Sequence, residues 1–85
     1  MQQRMSMVLF FAAARDVTKV DQWTLMLSEP TSVALVRELV LAEFPALKPW
    51  SKALRIAIDG EYAREDFMVE PGSEIALIPP VAGGC

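Results

Sequence analysis

The chain contains no histidine and a single cysteine, Cys85, among its 85 residues. A zinc site, a framework of intramolecular disulfides, a Ser-His-Asp triad and a Cys-His pair all need residues that this chain does not have. Its length allows one small domain, because a chain this short buries only about 60% of the surface of its unfolded state. Most side-chain catalysis is thereby excluded, and a large enzyme with its own cofactor cleft is not expected.

Clustered positive charge and long apolar runs are also missing. Eight Lys and Arg against 11 Asp and Glu give a net charge of −3, and the scattered basic residues do not form the stripe that displaces counterions from nucleic acid. The longest apolar run, residues 7–14, is much shorter than the roughly 18 residues of a membrane span. Arg15 and Asp16 follow that run at once, which argues against a secretion signal. We therefore expect a cytoplasmic protein that binds no nucleic acid and no membrane.

Apolar residues make up 53% of the chain, and most of them follow strand patterns. In residues 5–12 the side chains that point to either side of the strand are mostly apolar, as in a central strand that is covered on two sides. Asp59-Gly60 is typical of a two-residue type I′ hairpin, and Pro71-Gly72 of a second turn. The strands predicted from these patterns cover residues 5–12, 22–27, 54–58, 61–63 and 74–78.

One helix is predicted, over residues 33–44, with the hydroxyl of Thr31 or Ser32 as its N-terminal cap. Pro45 and Pro49 should end this helix and hold an irregular segment. In that segment Leu47 and Trp50 are the expected contacts with the core. The apolar arc of the helix is predicted to contain Val33, Leu35, Val36, Leu39, Val40, Ala42 and Phe44.

Five strands interrupted by one helix indicate an α+β fold rather than a repeat of βαβ units. The first and last strands should be neighbours at the centre of the sheet. Alternation then turns two sets of side chains in opposite directions. The set expected to face the helix is Val8, Phe10, Ile75 and Leu77, and the outward set is Leu9, Phe11, Ala76 and Ile78. An apolar outer face of this kind is typical of a docking surface.

The end of the chain carries the most specific motif. Residues 74–84 read Glu-Ile-Ala-Leu-Ile-Pro-Pro-Val-Ala-Gly-Gly and resemble the C-terminal signature of the small subunit of molybdopterin synthase. Residues 8–12, with Arg15 after them, resemble the first strand of that family, and the similarity extends over nearly the whole chain. The resemblance implies a ubiquitin-like β-grasp fold, with a mixed five-stranded sheet and one main helix over residues 1–78. Residues 79–85 would form an extended C-terminal tail.

The resemblance also implies a sulfur carrier. In that family an adenylating enzyme similar to ubiquitin-activating enzymes uses ATP to activate the terminal glycine carboxylate, and a sulfur donor protein converts it to a thiocarboxylate. The tail then gives its sulfur to cyclic pyranopterin monophosphate on the large subunit, in a heterotetramer with two large subunits. The chain itself would bind no cofactor and no metal. It would be the non-catalytic, sulfur-donating subunit of a sulfurtransferase complex.

The resemblance assigns roles by position in the motif. Gly84 would carry the sulfur, and Gly83 would be its narrow neighbour. The residues expected in the channel of the large subunit are Pro79, Pro80, Val81 and Ala82. Phe11, Arg15 and Ile78 are the candidates for the docking face, with ordinary core the alternative for Phe11 and Ile78, and a solvated surface position the alternative for Arg15.

Cys85 departs from this motif, because the family ends at the second glycine. Three explanations stay open: a precursor trimmed after Gly84, an addition foreign to the natural chain, or an acyl shift that makes a thioester of the Gly84-Cys85 amide. Two alternative functions also stay open. The first is a sulfur carrier for thiamine, cysteine, tRNA thiolation or a secondary metabolite. The second is a β-grasp interaction module or protein modifier that works by surface contact.

Overall fold

The computed structural model describes residues 3–79. Its strands are β1 (Arg4–Phe10), β2 (Gln22–Leu27), β3 (Thr31–Ser32), β4 (Arg55–Ile58), β5 (Glu61–Tyr62), β6 (Met68–Val69) and β7 (Glu74–Ile78). Its helices are α1 (Ala12–Thr18), α2 (Val33–Glu43) and a 3₁₀ helix (Pro45–Trp50). The predicted strands and main helix are all present, with shifts at their ends.

The main sheet has five strands in the order β2-β1-β7-β4-β5. The first and last strands, β1 and β7, pair in parallel at its centre, and the other pairs are antiparallel. This confirms the predicted α+β class with a mixed five-stranded sheet. Parallel pairing of two strands distant in sequence needs a long crossover, and here the crossover contains α2.

One face of this sheet and α2 enclose a single core. The four side chains predicted to face the helix, Val8, Phe10, Ile75 and Leu77, are at most 2% exposed. Trp23 and Phe10 both meet the ring of Phe44 edge to face, at centroid distances of 5.5 and 5.0 Å, a geometry that aromatic pairs prefer. Leu47 is fully buried and Trp50 packs against the core, as predicted, although their segment is a 3₁₀ helix rather than irregular.

The first strand ends earlier than predicted. β1 stops at Phe10, whose N–H donates to the carbonyl oxygen of Asp21 at 2.9 Å. Ala12 then has a φ of 48° and begins α1, a helix that was not predicted. Alanine has the strongest helix preference of any residue, so the run of three alanines leaves the strand although it is apolar.

The buried side of α2 is narrower than the predicted apolar arc, so the prediction is wrong in this respect. Only one stripe of the helix, Val33, Val36 and Val40, is buried. Leu35 and Leu39 are 49% and 37% exposed, and Ala42, also placed in the arc, is exposed as well. A single helix lying on a sheet contacts it along a narrow line, so residues that are more than about 60° away on the helix surface remain in solvent.

A second, small sheet at the start of α2 was not predicted. The hydroxyl oxygen of Ser32 accepts from the N–H of Leu35 at 3.1 Å, which confirms the capping prediction. The first amides of α2 are also satisfied, because Val33 and Ala34 donate to the 65–67 loop at 2.9 and 3.0 Å. The adjoining strands β3 and β6 pair antiparallel. Strands of two residues are too short to show a hydrophobic period, so no strand was predicted at β3 or β6.

Two turns that contain glycine are bonded to the central strands: the turn of the β4–β5 hairpin and the turn before β7. Asp59 and Gly60 have φ values of 51° and 90°, the two positive values of a type I′ turn, as predicted. The carboxylate of Asp59 accepts from the backbone N–H of Glu74 at 2.9 Å. Gly72, with φ 93°, donates its N–H to the hydroxyl oxygen of the buried Ser6 at 2.9 Å. The turns therefore hold β7 in register between β1 and β4.

Candidate functional site

The surface of the main sheet opposite α2 is here called the open face. It is formed by the side chains that alternate with the core residues along each strand. They are Met5, Met7, Leu9, Gln22, Thr24, Met26, Arg55, Ala57, Tyr62, Glu74, Ala76 and Ile78. The predicted outward direction of Leu9, Ala76 and Ile78 is confirmed.

The middle of the open face is flat because small side chains lie side by side. The strand registers pair Leu9 with Ala76 and Ala76 with Ala57, so two methyl groups occupy neighbouring strands. Larger apolar side chains stand around this row, with Met5 66% and Tyr62 63% exposed. Isolated exposed apolar residues are ordinary, but an apolar group on one face indicates a docking surface.

Phe11 and Ile78 extend the open face at the end where the chain leaves the sheet. Phe10 pairs with Leu77 in the parallel register, so the next residues along both strands lie beside each other. Phe11 has extended backbone (φ −115°) and its side chain is outside the core, 47% exposed. The core alternative for Phe11 is therefore wrong, whereas Ile78 is half-buried.

Arg15 lies one helical turn after Phe11, on the exposed surface of α1. Its N–H donates to the carbonyl oxygen of Phe11 at 3.4 Å, and its Nε lies 3.8 Å from a carboxylate oxygen of Asp21. Both side chains are mostly in solvent, at 56% and 80% exposed. The structure thus brings Arg15 to the same end of the molecule as Phe11 and Ile78. Its role in docking stays a prediction.

The tail begins directly at this end of the open face. Ile78 is the last residue of β7, and Pro79 after it is buried. The other predicted tail residues, Pro80, Val81, Ala82, Gly83, Gly84 and Cys85, lie outside the described residues. Because β7 is central, the chain that continues from it leaves from the middle of the sheet. The division into a domain over 1–78 and a tail over 79–85 stays a prediction.

A groove beside the start of the tail was not predicted. It encloses about 460 Å³ and is lined in part by Lys52, Arg55, Tyr62, Ile78 and Pro79. The guanidinium carbon of Arg55 lies 5.3 Å from the centroid of the Tyr62 ring. The sequence did hold a signal for it, because Arg55 occupies a polar position in an otherwise apolar strand of alternating pattern.

On the other side of the sheet, Arg37 ties α2 to the two loops around it. Its guanidinium donates to the carbonyl oxygens of Ser51 and Leu54 at 2.6 and 2.8 Å and to both carboxylate oxygens of Glu65. The hydrogen bond from Arg37, assisted by its charge, lowers the pKa of Glu65 below the ordinary glutamate range, and partial desolvation opposes this shift. This cluster fixes the helix side of the fold and lies outside the open face.

Residues 3–79 hold no group of three or more His, Cys, Asp and Glu side chains that is arranged to bind a metal ion. In the same part of the chain, no helix has the length and apolar character needed to cross a membrane.

Comparison with known proteins relates this arrangement to a family. The sequence profile of the ThiS family matches residues 8–84. The molybdopterin synthase sulfur carrier subunit of Arabidopsis thaliana is 40% identical over 78 residues, which cover 91% of this chain and 80% of that protein. The protein of the same name from Caenorhabditis briggsae is 35% identical over 79 residues, covering 91% and 94%.

Solved structures agree in fold. Small archaeal modifier protein 1 from Haloferax volcanii superposes with a TM-score of 0.80 at 22% identity, covering 94% of this chain and 99% of that one. At this identity the likeness concerns the ubiquitin-like β-grasp fold alone. The complex of subunits 1 and 2 of the molybdopterin-converting factor from Helicobacter pylori contains a chain that superposes with a TM-score of 0.66 at 26% identity, with 94% and 99% coverage.

Proposed function

Because this chain belongs to the ThiS family and its curated relatives are sulfur carrier subunits, we propose that it is the sulfur carrier subunit of a molybdopterin synthase. The observation that carries the proposal is the place where the tail begins. Pro79 directly follows the central strand β7, at the end of the open face. A partner that covers this face therefore meets the start of the tail.

The partner is the large subunit of the synthase. Support comes from the Helicobacter pylori structure, a complex of subunits 1 and 2 that contains a chain similar to this one. The exposed side chains of Met5, Phe11 and Tyr62 provide apolar area for such a contact around the flat centre of the face. Each square ångström of apolar surface removed from water contributes about 25 cal/mol, so this face favours association more than any charged surface of the chain. A heterotetramer with two large subunits is part of the proposal.

The chemistry is placed on Gly84. A partner adenylating enzyme joins the Gly84 carboxylate to AMP from ATP, releasing pyrophosphate. Sulfide-level sulfur (HS⁻) released by a donor protein then attacks the acyl carbon, the bond from that carbon to the AMP phosphate oxygen breaks, AMP leaves, and a thiocarboxylate remains. The loaded tail donates this sulfur to cyclic pyranopterin monophosphate. Glycine has no Cβ, so it fits a narrow channel and leaves the acyl carbon open to attack.

This chemistry requires that Cys85 be removed, because the activated carboxylate must belong to Gly84. Trimming of a precursor is the explanation that the proposal adopts. The family match itself ends at residue 84. A carrier for another pathway has the same requirement at the tail, but the curated relatives named above are subunits of molybdopterin synthase.

The test is complementation of cells that lack their own small subunit, with molybdoenzyme activity as the readout. A variant that ends at Gly84 should restore activity, even in cells without the trimming protease. A variant that ends at Ala82, and Gly84→Val in the chain ending at residue 84, should restore none. Restored activity from the chain ending at Ala82 would overturn the proposal, because an interaction module needs no glycine terminus.

A further inference from the structure

The groove at the start of the tail combines a cation, an aromatic ring and apolar side chains. Arg55 is opposite Ile78 in the antiparallel register of β4 and β7, and Tyr62 stands on the neighbouring strand with its ring 5.3 Å from the guanidinium. Arginine and tyrosine are the residue types most enriched at the energetic centres of protein interfaces. This composition distinguishes the groove from the flat middle of the open face.

Arg55 has no anionic partner within residues 3–79. No carboxylate in this range lies within 4.0 Å of its guanidinium, whereas Arg15 and Arg37 have Asp21 and Glu65. The side chain of Glu65, which borders the adjoining depression together with Arg55, is already bound by Arg37. In a chain with a net charge of −3, this leaves a cation without its counterpart beside an apolar surface.

The Tyr62 ring holds the guanidinium in place without occupying its hydrogen-bond donors. A cation above a ring is attracted by the π face and needs no hydrogen bond to it. Within residues 3–79 the hydrogen bonds donated by arginine side chains all come from Arg37, so the donors of the Arg55 guanidinium are not used in this part of the chain. A planar guanidinium with free donors is suited to bind a carboxylate through two parallel hydrogen bonds.

The position of Arg55 on the sheet indicates which molecule supplies that carboxylate. Arg55 and Ile78 are paired across β4 and β7, and Phe11 directly follows the end of β1, the neighbouring strand on the other side of β7. A partner that covers Phe11 and Ile78 also removes Arg55 from water. Burial of an unpaired charge opposes association. A partner that brings an opposite charge to this point removes that penalty and gains a charge-assisted hydrogen bond.

We propose that the groove around Arg55 and Tyr62 binds an acidic peptide segment of the large subunit, with one carboxylate held by the Arg55 guanidinium. The proposal rests on the proposed function for the identity of the partner. Lys52, on the rim of the same groove, adds a second positive charge that attracts the segment. The contact fixes the partner at the start of the tail, so that the residues after Pro79 enter its channel in one register.

The test is the dissociation constant of the complex between this chain and the purified large subunit from the same source. Arg55→Glu should raise Kd by about thirtyfold at low salt, because a buried charge then meets a like charge. Arg64→Glu is the matched control. It makes the same change in net charge at an exposed arginine outside the groove, and it should leave Kd within about twofold of the wild type.

Salt dependence separates the charge contact from a general loss of packing. Between about 50 and about 300 mM NaCl, wild-type binding should weaken more than binding of Arg55→Gln, because screening removes only the electrostatic part. Circular dichroism of each variant confirms that it is folded. Equal Kd values for wild type and Arg55→Glu, or an equal rise in Kd from Arg55→Glu and Arg64→Glu, would overturn this inference and leave the proposed function standing. If the wild-type chain does not bind the large subunit at all, the proposed function fails and the inference fails with it.

Discussion

On the helix side of the central sheet, Val8, Ile75 and Leu77 are completely buried, whereas on the open face Met5, Phe11 and Tyr62 are 47–66% exposed. Both sets are apolar, and both lie on the strands of one sheet or directly after them. The helix side is closed by elements of the chain itself. The open face is left without cover by residues 3–79, although it contains enough apolar surface to be stabilised by burial.

The two faces also differ in the kinds of residue they contain. Branched aliphatic side chains make up most of the helix side, and the rings of Phe10, Trp23 and Phe44 pack among them. On the open face methionine is the most frequent residue, with Met5, Met7 and Met26, and alanine and exposed aromatic rings accompany it. Methionine adapts its shape to a neighbour, and aromatic rings offer large rigid contact area. A fold that needs one core and one docking surface uses the alternation of its strands to make both.

The largest expected effect is on the free energy of unfolding, and it differs between two adjacent residues of β7. Leu77→Ala should lower the free energy of unfolding by about 3 kcal/mol, because it leaves a cavity in the core. Ile78→Ala should lower it by about 1 kcal/mol, since the side chain is only half-buried. Urea unfolding followed by circular dichroism measures both values.

The effects of the same two substitutions on binding to the large subunit should have the opposite order. Ile78→Ala should raise the Kd for the large subunit by about tenfold, as the loss of an apolar contact at an interface centre does. Leu77→Ala should leave Kd nearly unchanged at temperatures where it is folded. If Ile78→Ala destabilises the fold as much as Leu77→Ala and binds normally, the assignment of the two faces is wrong.

A smaller effect is expected at the Arg37–Glu65 pair, which locks only the helix side. The pKa of Glu65 is lowered in the folded state, so its contribution to stability is present above the ordinary glutamate pKa and is lost as pH falls through the folded value. Glu65→Gln should therefore cost up to about 1 kcal/mol at neutral pH, since the carboxylate is half in solvent, and nothing in strong acid.

The control for this prediction is the same change in an Arg37→Met background. Without the guanidinium, Glu65→Gln should have no pH-dependent effect, and the double-mutant cycle isolates the pair. Unfolding curves at several pH values between acid and neutral provide the data. A pH-dependent cost that persists in the Arg37→Met background would contradict the assigned cause.

The smallest effect is expected at the junction of the two faces. Ala12 follows Phe11 on the open face and has a φ of 48°, which costs a residue with a Cβ about 1 kcal/mol. Ala12→Gly should raise the free energy of unfolding by about 0.5 kcal/mol, after the entropy cost of glycine is subtracted. Ala13→Gly, one residue further into α1, should lower it by about 1 kcal/mol. Equal destabilisation by both changes, measured in urea, would refute the left-handed geometry at Ala12.

Sequence patterns were sufficient for the elements that have a clear period or a specific turn. The strands at 22–27 and 74–78 have the predicted bounds, and the Asp59-Gly60 turn has the predicted type. Alternation also predicted which side chains of β1 and β7 face the helix. These features depend on local geometry, which neighbouring residues in the chain determine.

The features that the sequence did not reveal depend on tertiary contacts. The β3–β6 pair joins residues far apart in the chain, and two residues on each strand leave no pattern. The exposure of Leu35 and Leu39 depends on how narrow the contact of a lone helix with the sheet is. The groove at Arg55 was also missed, because Arg55 comes next to Ile78 and Tyr62 only through the pairing of strands in the folded sheet. Alternation showed that Phe11 and Ile78 face outward, but it did not show how much of each stays exposed.

The central claim is that the chain carries sulfur on the carboxyl group of Gly84. The most direct measurement is the intact mass of the protein after expression with its adenylating enzyme and sulfur donor. We expect a chain that ends at Gly84 and is about 16 Da heavier than its free carboxylate form, because sulfur replaces one oxygen. A chain that keeps Cys85 and gains no mass in cells with an active pathway would contradict the claim.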